Sequence, residues 1–214
     1  MTVRIRPSLL MLALVLAWAA TTVGCDLFKP AEPEPPAGET IAGNYSTVDS
    51  TLDTMALAIR AKAQLDGENA YLRALADPTL DGRSFEAEFD PATVARYLAA
   101  SGTDVPNPWR RDSESLFYQG FARSNQNDAH DMRWADGDQT DPPPAADSAI
   151  VFRKYFVNGK SSTTSQVYPI AVGQAEMHFV RNSRGWIMVR WIDREDPAPP
   201  AGSDSYGMLR LTKR

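Results

Sequence analysis

The stretch VYPIAVGQAEMHFVRNSRGWIMVRWID, residues 167–193, decides the fold because its polarity alternates with the period of two that a half-buried strand requires. On the first strand, two sets of residues take opposite faces: Ala175, Met177 and Phe179, against Gln174, Glu176 and His178. On the second strand the two sets are Trp186, Met188 and Arg190, against Ile187, Val189 and Trp191. Residues 182–185, Asn-Ser-Arg-Gly, supply a turn between them. We therefore predict a long antiparallel hairpin, which needs helices or a second sheet against its apolar face.

Around the hairpin, apolar spacing and capping residues predict helices first and strands afterwards. The helices are expected over residues 46–65, 68–76, 91–100 and 113–123. The strands are expected over residues 84–89, 129–135, 148–157 and 206–211. This order indicates a single α+β domain, residues 43–214.

The N-terminus carries a positive segment, an apolar segment and then the only cysteine of the chain. Arg4 and Arg6 precede the apolar run LLMLALVLAWAA, residues 9–20. About a dozen apolar residues are too few to span a membrane, but they suit a signal peptide. We therefore interpret residues 1–24 as a signal peptide that ends immediately before Cys25.

The position of Cys25, directly after the small residue Gly24, resembles the lipobox of bacterial lipoproteins. Thr22 departs from the family's pattern, which usually has Leu at that place. The resemblance implies a diacylglyceryl group on the Cys25 thiol, cleavage before it and acylation of the new amine, with palmitate as a typical acyl chain. It also implies a protein anchored in the bacterial cell envelope, facing the periplasm or the exterior, with the choice between inner and outer membrane left open. An ordinary secretory signal with an incidental cysteine is the alternative.

Residues 25–42 link the cysteine to the domain through the segment KPAEPEPPAGET, residues 29–40. Its alternating Pro and Glu residues have no apolar periodicity, which is typical of a stiff, solvated spacer of polyproline type. We interpret it as the tether of a lipoprotein, and a proline-rich recognition motif for a partner is the alternative.

Composition and charge exclude some classes of partner. The hydrophobic fraction of 43% and five Trp residues predict a packed core. The formal net charge is -5, and the chain has no run of basic residues. Because nucleic-acid binding depends on neutralising phosphates, we expect no nucleic-acid partner.

Four segments of the domain resemble the nuclear transport factor 2-like family, also called the SnoaL-like or cystatin-like superfamily. They are AYLRALADP (residues 70–78), FEAEFDP (residues 85–91), the helix that follows Trp109 and holds Glu114, and GWIMVRWID (residues 185–193). The resemblance implies a cone, in which a strongly curved antiparallel sheet wraps around N-terminal helices and an apolar pocket. Members of the family include isomerases, dehydratases and cyclases, and also proteins that only bind or assemble, so the fold alone does not give the chemistry.

His178 and Glu176 are the best candidates for acid–base chemistry, because they lie two residues apart on one face of a strand. If that face lines the interior of the cone, the pair could act as acid and base; if it is the outer face, both groups are solvated. Trp134, Tyr155 and Trp191 could line a ligand pocket, although aromatic residues at strand spacing are more often plain core. A buried ion pair between a helix and the sheet, made by Glu114 and Arg190, is a further alternative.

Metal ligands are too few in the sequence. Asp128 and His130 share one face of a strand while Asp131 takes the other, and two ligands do not make a zinc site. In the acidic loop 136–147 the glycine falls at Gly137, away from the place that a calcium loop requires, and no closing Glu follows. We therefore expect no metal and no cofactor.

The sequence thus favours a lipid-anchored envelope protein whose domain is non-catalytic and binds a small apolar ligand or a protein. Two alternatives stay open. One is a pocket enzyme of the isomerase or dehydratase type that uses His178 and Glu176. The other is a structural envelope subunit that forms a homodimer through the open face of its sheet.

Overall fold

The computed structural model describes residues 41–61, 65–124 and 127–214. The predicted signal peptide, Cys25 and most of the predicted tether lie outside these residues. The helices are α1 (Val48–Arg60), α2 (Leu65–Arg73), α3 (Pro78–Asp81), α4 (Pro91–Ser101), α5 (Arg111–Arg123) and α6 (Tyr206–Thr212). The strands are β1 (Glu86–Glu88), β2 (Trp109–Arg110), β3 (Ala129–Asp136), β4 (Ser148–Lys160), β5 (Val167–Asn182) and β6 (Gly185–Glu195).

Six strands form one sheet in the order β2-β1-β6-β5-β4-β3. Strands β3 to β6 are an antiparallel meander, and the short strand β1 pairs with β6 in parallel. The predicted hairpin is confirmed as β5 and β6, with the turn where the sequence places it. The predicted α+β class, with N-terminal helices packed on a curved sheet, is confirmed as well.

Several helices begin at residues whose side chains cap them. Thr47 and Ser50 form a reciprocal capping box at the start of α1, because each side chain bonds to the backbone N–H of the other. Asp90 caps α4 by accepting from the N–H of Ala92 at 2.8 Å, and Pro91 occupies the first turn. Helix α1 turns Leu52, Met55 and Ile59 inward, where each is at most 2% exposed. The core therefore lies between the helices and one face of the sheet, which we call the covered face.

A bulge in β6 corrects the predicted alternation of the hairpin. His178 pairs with Arg190 but Phe179 pairs with Met188, so Val189 is an extra residue on β6. As a result Met188 and Trp191 both point to the covered face, whereas the sequence pattern placed Met188 with Arg190. Arg190 remains exposed on the opposite side, which we call the outer face.

The last element is a helix, so the predicted strand over residues 206–211 is wrong. Ser205 caps α6 by accepting from the N–H of Met208 at 3.1 Å. Every residue from Tyr206 to Leu211 is buried. Residues 206–211 show no separation into a polar and an apolar face that would set a helical period, because the helix is surrounded by protein on all sides.

None of the helices in the described parts of the chain is long and apolar enough to cross a membrane.

Candidate functional site

Helix α6 lies against the covered face of the sheet, where the resemblance of the sequence implies a pocket. The phenol ring of Tyr206 stacks on the indole of Trp191, with centroids 5.1 Å apart and an angle of 13° between the planes. The guanidinium of Arg210 lies 4.3 Å from the centroid of Trp191. All three side chains are completely buried. The C-terminal helix therefore occupies the interior of the cone with its own aromatic and cationic groups.

Glu114 of helix α5 neutralises the buried guanidinium. Its Oε1 accepts from Nε and Nη2 of Arg210, at 2.9 and 2.8 Å. The same oxygen accepts from the hydroxyl of Tyr71 at 2.6 Å, and Oε2 accepts from Nε1 of Trp109 at 2.6 Å. Such a set of donors offsets the large free-energy cost of removing two charges from water.

This environment shifts the pKa values of its members. Burial lowers the pKa of Arg210, but the charge of Glu114, its hydrogen bond and the hydroxyls of Tyr71 and Tyr206 together outweigh burial and raise the pKa above its ordinary value. Burial, together with the neighbouring carboxylate of Glu114, raises the pKa of Tyr71 well above 10.0. Both groups therefore keep their protons at physiological pH, and Arg210 stays a cation.

Asp193 of β6 holds the beginning of α6. Its carboxylate accepts from the hydroxyl of Tyr155 at 2.8 Å and from the backbone N–H of Gly207 at 2.8 Å. The hydroxyl of Tyr155 in turn accepts from the backbone N–H of Tyr206 at 2.9 Å. Burial raises the pKa of Asp193 to about 6, although the charge of Arg210 and the hydrogen bonds oppose the shift.

Two donors in this cluster lack a hydrogen bond of ordinary geometry among the described residues: Nε1 of Trp191 and Nη1 of Arg210. The indole of Trp191 nevertheless interacts with the carboxylate of Asp193 and lowers its pKa, so Nη1 of Arg210 is the donor that is left without an acceptor. An unpaired buried donor costs about 1–3 kcal/mol, so it marks a place where a hydrogen-bond acceptor would be stabilised. The interior is thus packed and polar, with one unsatisfied donor.

The three aromatic residues predicted as pocket residues lie together in this interior. Trp191 has its ring centroid 5.7 Å from that of Trp134 and 6.2 Å from that of Tyr155. Nε1 of Trp134 donates to the backbone oxygen of Leu52 at 2.9 Å, which fixes the indole against α1. These side chains contact one another and the protein's own helices.

The predicted pair His178 and Glu176 lies on the outer face of the sheet. Nε2 of His178 is 2.8 Å from Oε1 of Glu176, so the two residues do form a hydrogen bond. Their side chains are 25% and 21% exposed. Ile150 and Arg190 flank His178 on the neighbouring strands. The pair is therefore separated from the interior aromatic residues by the thickness of the sheet.

The residues considered as metal ligands have other partners. Nδ1 of His130 is 2.9 Å from the backbone oxygen of Asp128, and its ring packs against Phe121. The carboxylate of Asp128 accepts from Tyr168 at 2.7 Å, which lowers its pKa. In the described segments, no group of three or more His, Cys, Asp or Glu residues could hold a metal ion.

Sequence reasoning missed most of the interior cluster. Glu114 was singled out, but its buried partner is Arg210 of α6, while Arg190 pairs with Glu88 at the surface. Nothing in the local pattern around Asp193 or Arg210 marks either as buried. The close packing shows only in the structure, where a Cβ at Gly207 would lie 2.7 Å from Oδ2 of Asp193.

No protein-family model and no curated protein matches the chain. Among solved structures, a protein of unknown function from Mycobacterium tuberculosis is similar with a TM-score of 0.50 and 10% identity, over 77% of this chain and 82% of that one. A ketosteroid isomerase-like protein from Erwinia carotovora atroseptica is 14% identical, with a TM-score of 0.41 over 76% of this chain and 99% of that one. A protein provisionally assigned as a scytalone dehydratase, from Novosphingobium aromaticivorans, is 8% identical, with a TM-score of 0.48 over 75% of this chain and 91% of that one. At these identities the likeness is one of fold, the curved-sheet α+β architecture of the nuclear transport factor 2-like proteins.

Proposed function

We propose that this chain is a lipid-anchored protein of the bacterial cell envelope whose domain is non-catalytic and binds a protein partner. The anchor is Cys25, acylated after removal of residues 1–24, with residues 25–42 as the tether. The observation that carries the binding role is the position of α6: the protein's own helix occupies the covered face, and the outer face of the same sheet is left for a partner.

The outer face supports this role by its chemistry. In one row across the strands, Phe152, Glu176 and Ile192 are neighbours; in the next row, Ile150, His178 and Arg190 are neighbours. Apolar and charged groups thus alternate at short distance. A surface of this kind gives a partner both apolar area and charges that fix its orientation.

The anchor is tested by replacing Cys25 with Ala and separating membrane from soluble material. Loss of the protein from the membrane, together with an acyl mass on the N-terminal peptide of the wild type, is the expected result. A Cys25→Ala protein that is still processed and remains in the membrane fraction would refute the lipoprotein assignment.

The binding face is tested by site-specific photocrosslinking in the native organism. A photoreactive amino acid in place of Phe152 should give a discrete crosslinked product, whereas the same group in place of Lys160, at the end of β4, should not. A product of twice the mass of the chain would identify the partner as a second copy, which is the dimeric subunit considered from the sequence. Equal labelling at the two positions would contradict a specific face.

A small ligand in the cone is a second candidate, and one observation favours it. The unsatisfied donor Nη1 of Arg210 would be satisfied by a ligand that carries a hydrogen-bond acceptor. Such a ligand has to displace part of α6, because Tyr206 and Arg210 fill the space. A hydrophobic fluorescent probe that binds the folded protein and quenches its tryptophan emission would favour this candidate over the first.

Catalysis by His178 and Glu176 is supported by their 2.8 Å contact alone. A substrate would have to bind on the outer face of the sheet. If any turnover is found, a His178→Ala variant that retains the wild-type rate would eliminate this pair as its acid and base.

A further inference from the structure

The domain meets the preceding chain at one end of its sheet. The backbone oxygen of Tyr45 accepts from the N–H of Trp186 at 2.7 Å, and the hydroxyl of Tyr45 donates to the backbone oxygen of Ala70 at 2.9 Å. Tyr45 is therefore fixed beside the turn of the β5–β6 hairpin. We call this side of the domain the hairpin end, and the covalent path from Cys25 reaches the domain there.

Four arginines lie at the hairpin end. The guanidinium of Arg73 lies 4.9 Å from the centroid of the Tyr45 ring. Arg184, in the turn itself, donates from Nε to Asp81 at 2.9 Å. Arg83 and Arg181 are exposed and line one open depression of about 550 Å³.

The acidic groups of this end are fewer. Asp81 and Asp147 line the same depression, and Asp81 is already paired with Arg184. Asp77, at the start of α3, is 3.3 Å from Arg111. The hairpin end therefore carries a positive excess in a chain whose formal net charge is -5.

Arg83 and Arg181 differ from most arginines of the domain. Neither has an ion-pair partner among the described residues. By contrast, ion pairs with Asp or Glu are made by Arg60, Arg96, Arg110, Arg111, Arg133, Arg153, Arg184, Arg190, Arg194 and Arg210. The two unpaired cations are free to interact with an external anion.

An apolar side chain accompanies these charges. Leu80 of α3 is 68% exposed, more than Leu57, Leu98, Leu116 or Val167, the other exposed large apolar residues. Helix α3 is tied to the hairpin turn, because Nδ2 of Asn182 donates to Asp81 at 2.7 Å. Leu80 is thus presented at the same end as Arg83 and Arg181.

We propose that the hairpin end docks on the surface of an anionic phospholipid bilayer. Arg83 and Arg181 bind lipid phosphates there, and Leu80 inserts among the headgroups. Each basic residue near an anionic membrane contributes a modest attraction, which acts within about one Debye length. This inference rests on the proposed anchor at Cys25, because a lipid anchor keeps the domain near the bilayer and makes so weak an attraction sufficient.

Docking is tested with the full lipidated protein in vesicles of phosphatidylcholine, with or without phosphatidylglycerol. Cys25 is the only cysteine, and acylation blocks its thiol, so a Ser183→Cys variant takes one fluorophore at the hairpin turn. A Ser162→Cys variant takes the same fluorophore in the turn between β4 and β5, at the other end of the strands. Brominated lipids should quench the label at residue 183 roughly twofold on anionic vesicles at low salt and leave the label at residue 162 unchanged.

Two charge-reversal variants decide whether the arginines are responsible. The Arg83→Glu/Arg181→Glu variant should lose the quenching at residue 183. The matched Lys160→Glu/Arg123→Glu variant changes the net charge by the same amount at exposed positions elsewhere and should retain it. Equal behaviour of the two variants, or a wild-type label that is not quenched on anionic vesicles, would overturn the docking.

The mass of the N-terminal peptide separates this inference from the proposed function. An acylated Cys25 with an unquenched label at residue 183 refutes the docking and keeps the anchor. An unmodified Cys25 refutes the anchor. The label is then placed on a Cys25→Ala/Ser183→Cys variant, which has a single thiol, and quenching of that label on anionic vesicles keeps the docking.

Discussion

The two faces of the sheet each carry a carboxylate paired with a basic side chain, and the two pairs differ in burial. On the covered face, Glu114 and Arg210 are both 0% exposed and contact each other at 2.8 Å. On the outer face, His178 and Glu176 are also 2.8 Å apart, but their side chains are 25% and 21% exposed. The two pairs therefore contribute differently to the stability of the fold, although the distance between their atoms is the same.

Burial decides which pair supports the fold. Either member of a buried pair, left alone, is an uncompensated charge in a medium of low dielectric constant, so its loss costs several kcal/mol. Water and salt screen the outer pair, whose contribution is typically below about 1 kcal/mol. The contacts of the covered face thus stabilise the packing of α6. The side chains of the outer face can exchange their own contacts for those of a binding partner with little loss of stability.

The largest effect is expected from replacing Glu114 with Gln. The amide can still accept from Trp109 or Tyr71, but it leaves the charge of Arg210 without a counterion. We expect the free energy of unfolding to fall by about 3–5 kcal/mol. Urea denaturation measures it, with Glu88→Gln as the matched control, because Glu88 pairs with the exposed Arg190.

A double-mutant cycle with Arg210→Met sharpens this result. Because the methionine removes the buried charge, Glu114→Gln/Arg210→Met should be less destabilised than the sum of the two single variants. Additive losses would show that the ion pair is not what couples α5 to α6.

The next effect is a dependence of stability on pH that comes from Asp193. Its pKa is raised from 3.8 to about 6 in the folded protein. The folded state therefore binds the proton more tightly than the unfolded state. The contribution of Asp193 to the free energy of unfolding is present below pH 4 and is lost as the pH rises through 6. The loss amounts to about 3 kcal/mol.

An Asp193→Asn variant should lack this decline, so its unfolding free energy relative to wild type should rise between pH 4 and pH 6. Asp128→Asn is a control of opposite sign. Its hydrogen bond from Tyr168 lowers the pKa of Asp128, so the wild-type group stabilises the fold above pH 4 and loses that contribution in acid. Parallel profiles for wild type and Asp193→Asn would contradict the assignment.

A smaller loss in the free energy of unfolding is expected from Gly120→Ala, which tests whether the C-terminal segment packs closely against α5. A Cβ at this position of α5 would lie 1.5 Å from the backbone oxygen of Lys213, so the end of α6 has to move. We expect a loss of about 1–3 kcal/mol, although Ala favours the helix. Ala122→Gly, two residues further along the same helix, is the control for helix propensity. Stabilisation by Gly120→Ala would mean that α6 does not rest on α5 as described.

The sequence predicts the hairpin because its alternation extends over nearly the whole length of both strands and a glycine marks the turn. It does not predict the bulge at Val189, because an apolar residue there suits either face. The prediction of a strand over residues 206–211 was wrong for a related reason. In residues 206–211 neither a strand period nor a helical period is visible, because burial on every side removes the polarity difference that a period reports.

The interior cluster could not be predicted because its contacts join residues far apart in the chain. Glu114 and Arg210 are separated by 96 positions, and Trp109 is the only partner of Glu114 that is near it in sequence. Arginine is rarely completely buried, so Arg210 reads as a surface residue until its partner is known. For His178 and Glu176 the sequence gives their shared face correctly, and only the packing of α1 to α6 decides that this face is the outer one.

The smallest effect is expected from His178→Ala on the outer face. Removing the imidazole breaks one partly solvated hydrogen bond to Glu176, which keeps Arg194 at 3.8 Å as a second partner. The free energy of unfolding should change by at most about 0.5–1 kcal/mol, and less at high salt. A loss as large as that of Glu114→Gln would show that this pair supports the fold and is not free for a partner. A small loss of stability, together with a weaker photocrosslink from residue 152, would show that the imidazole is used in binding, because only a role in binding affects the crosslink and leaves the fold intact.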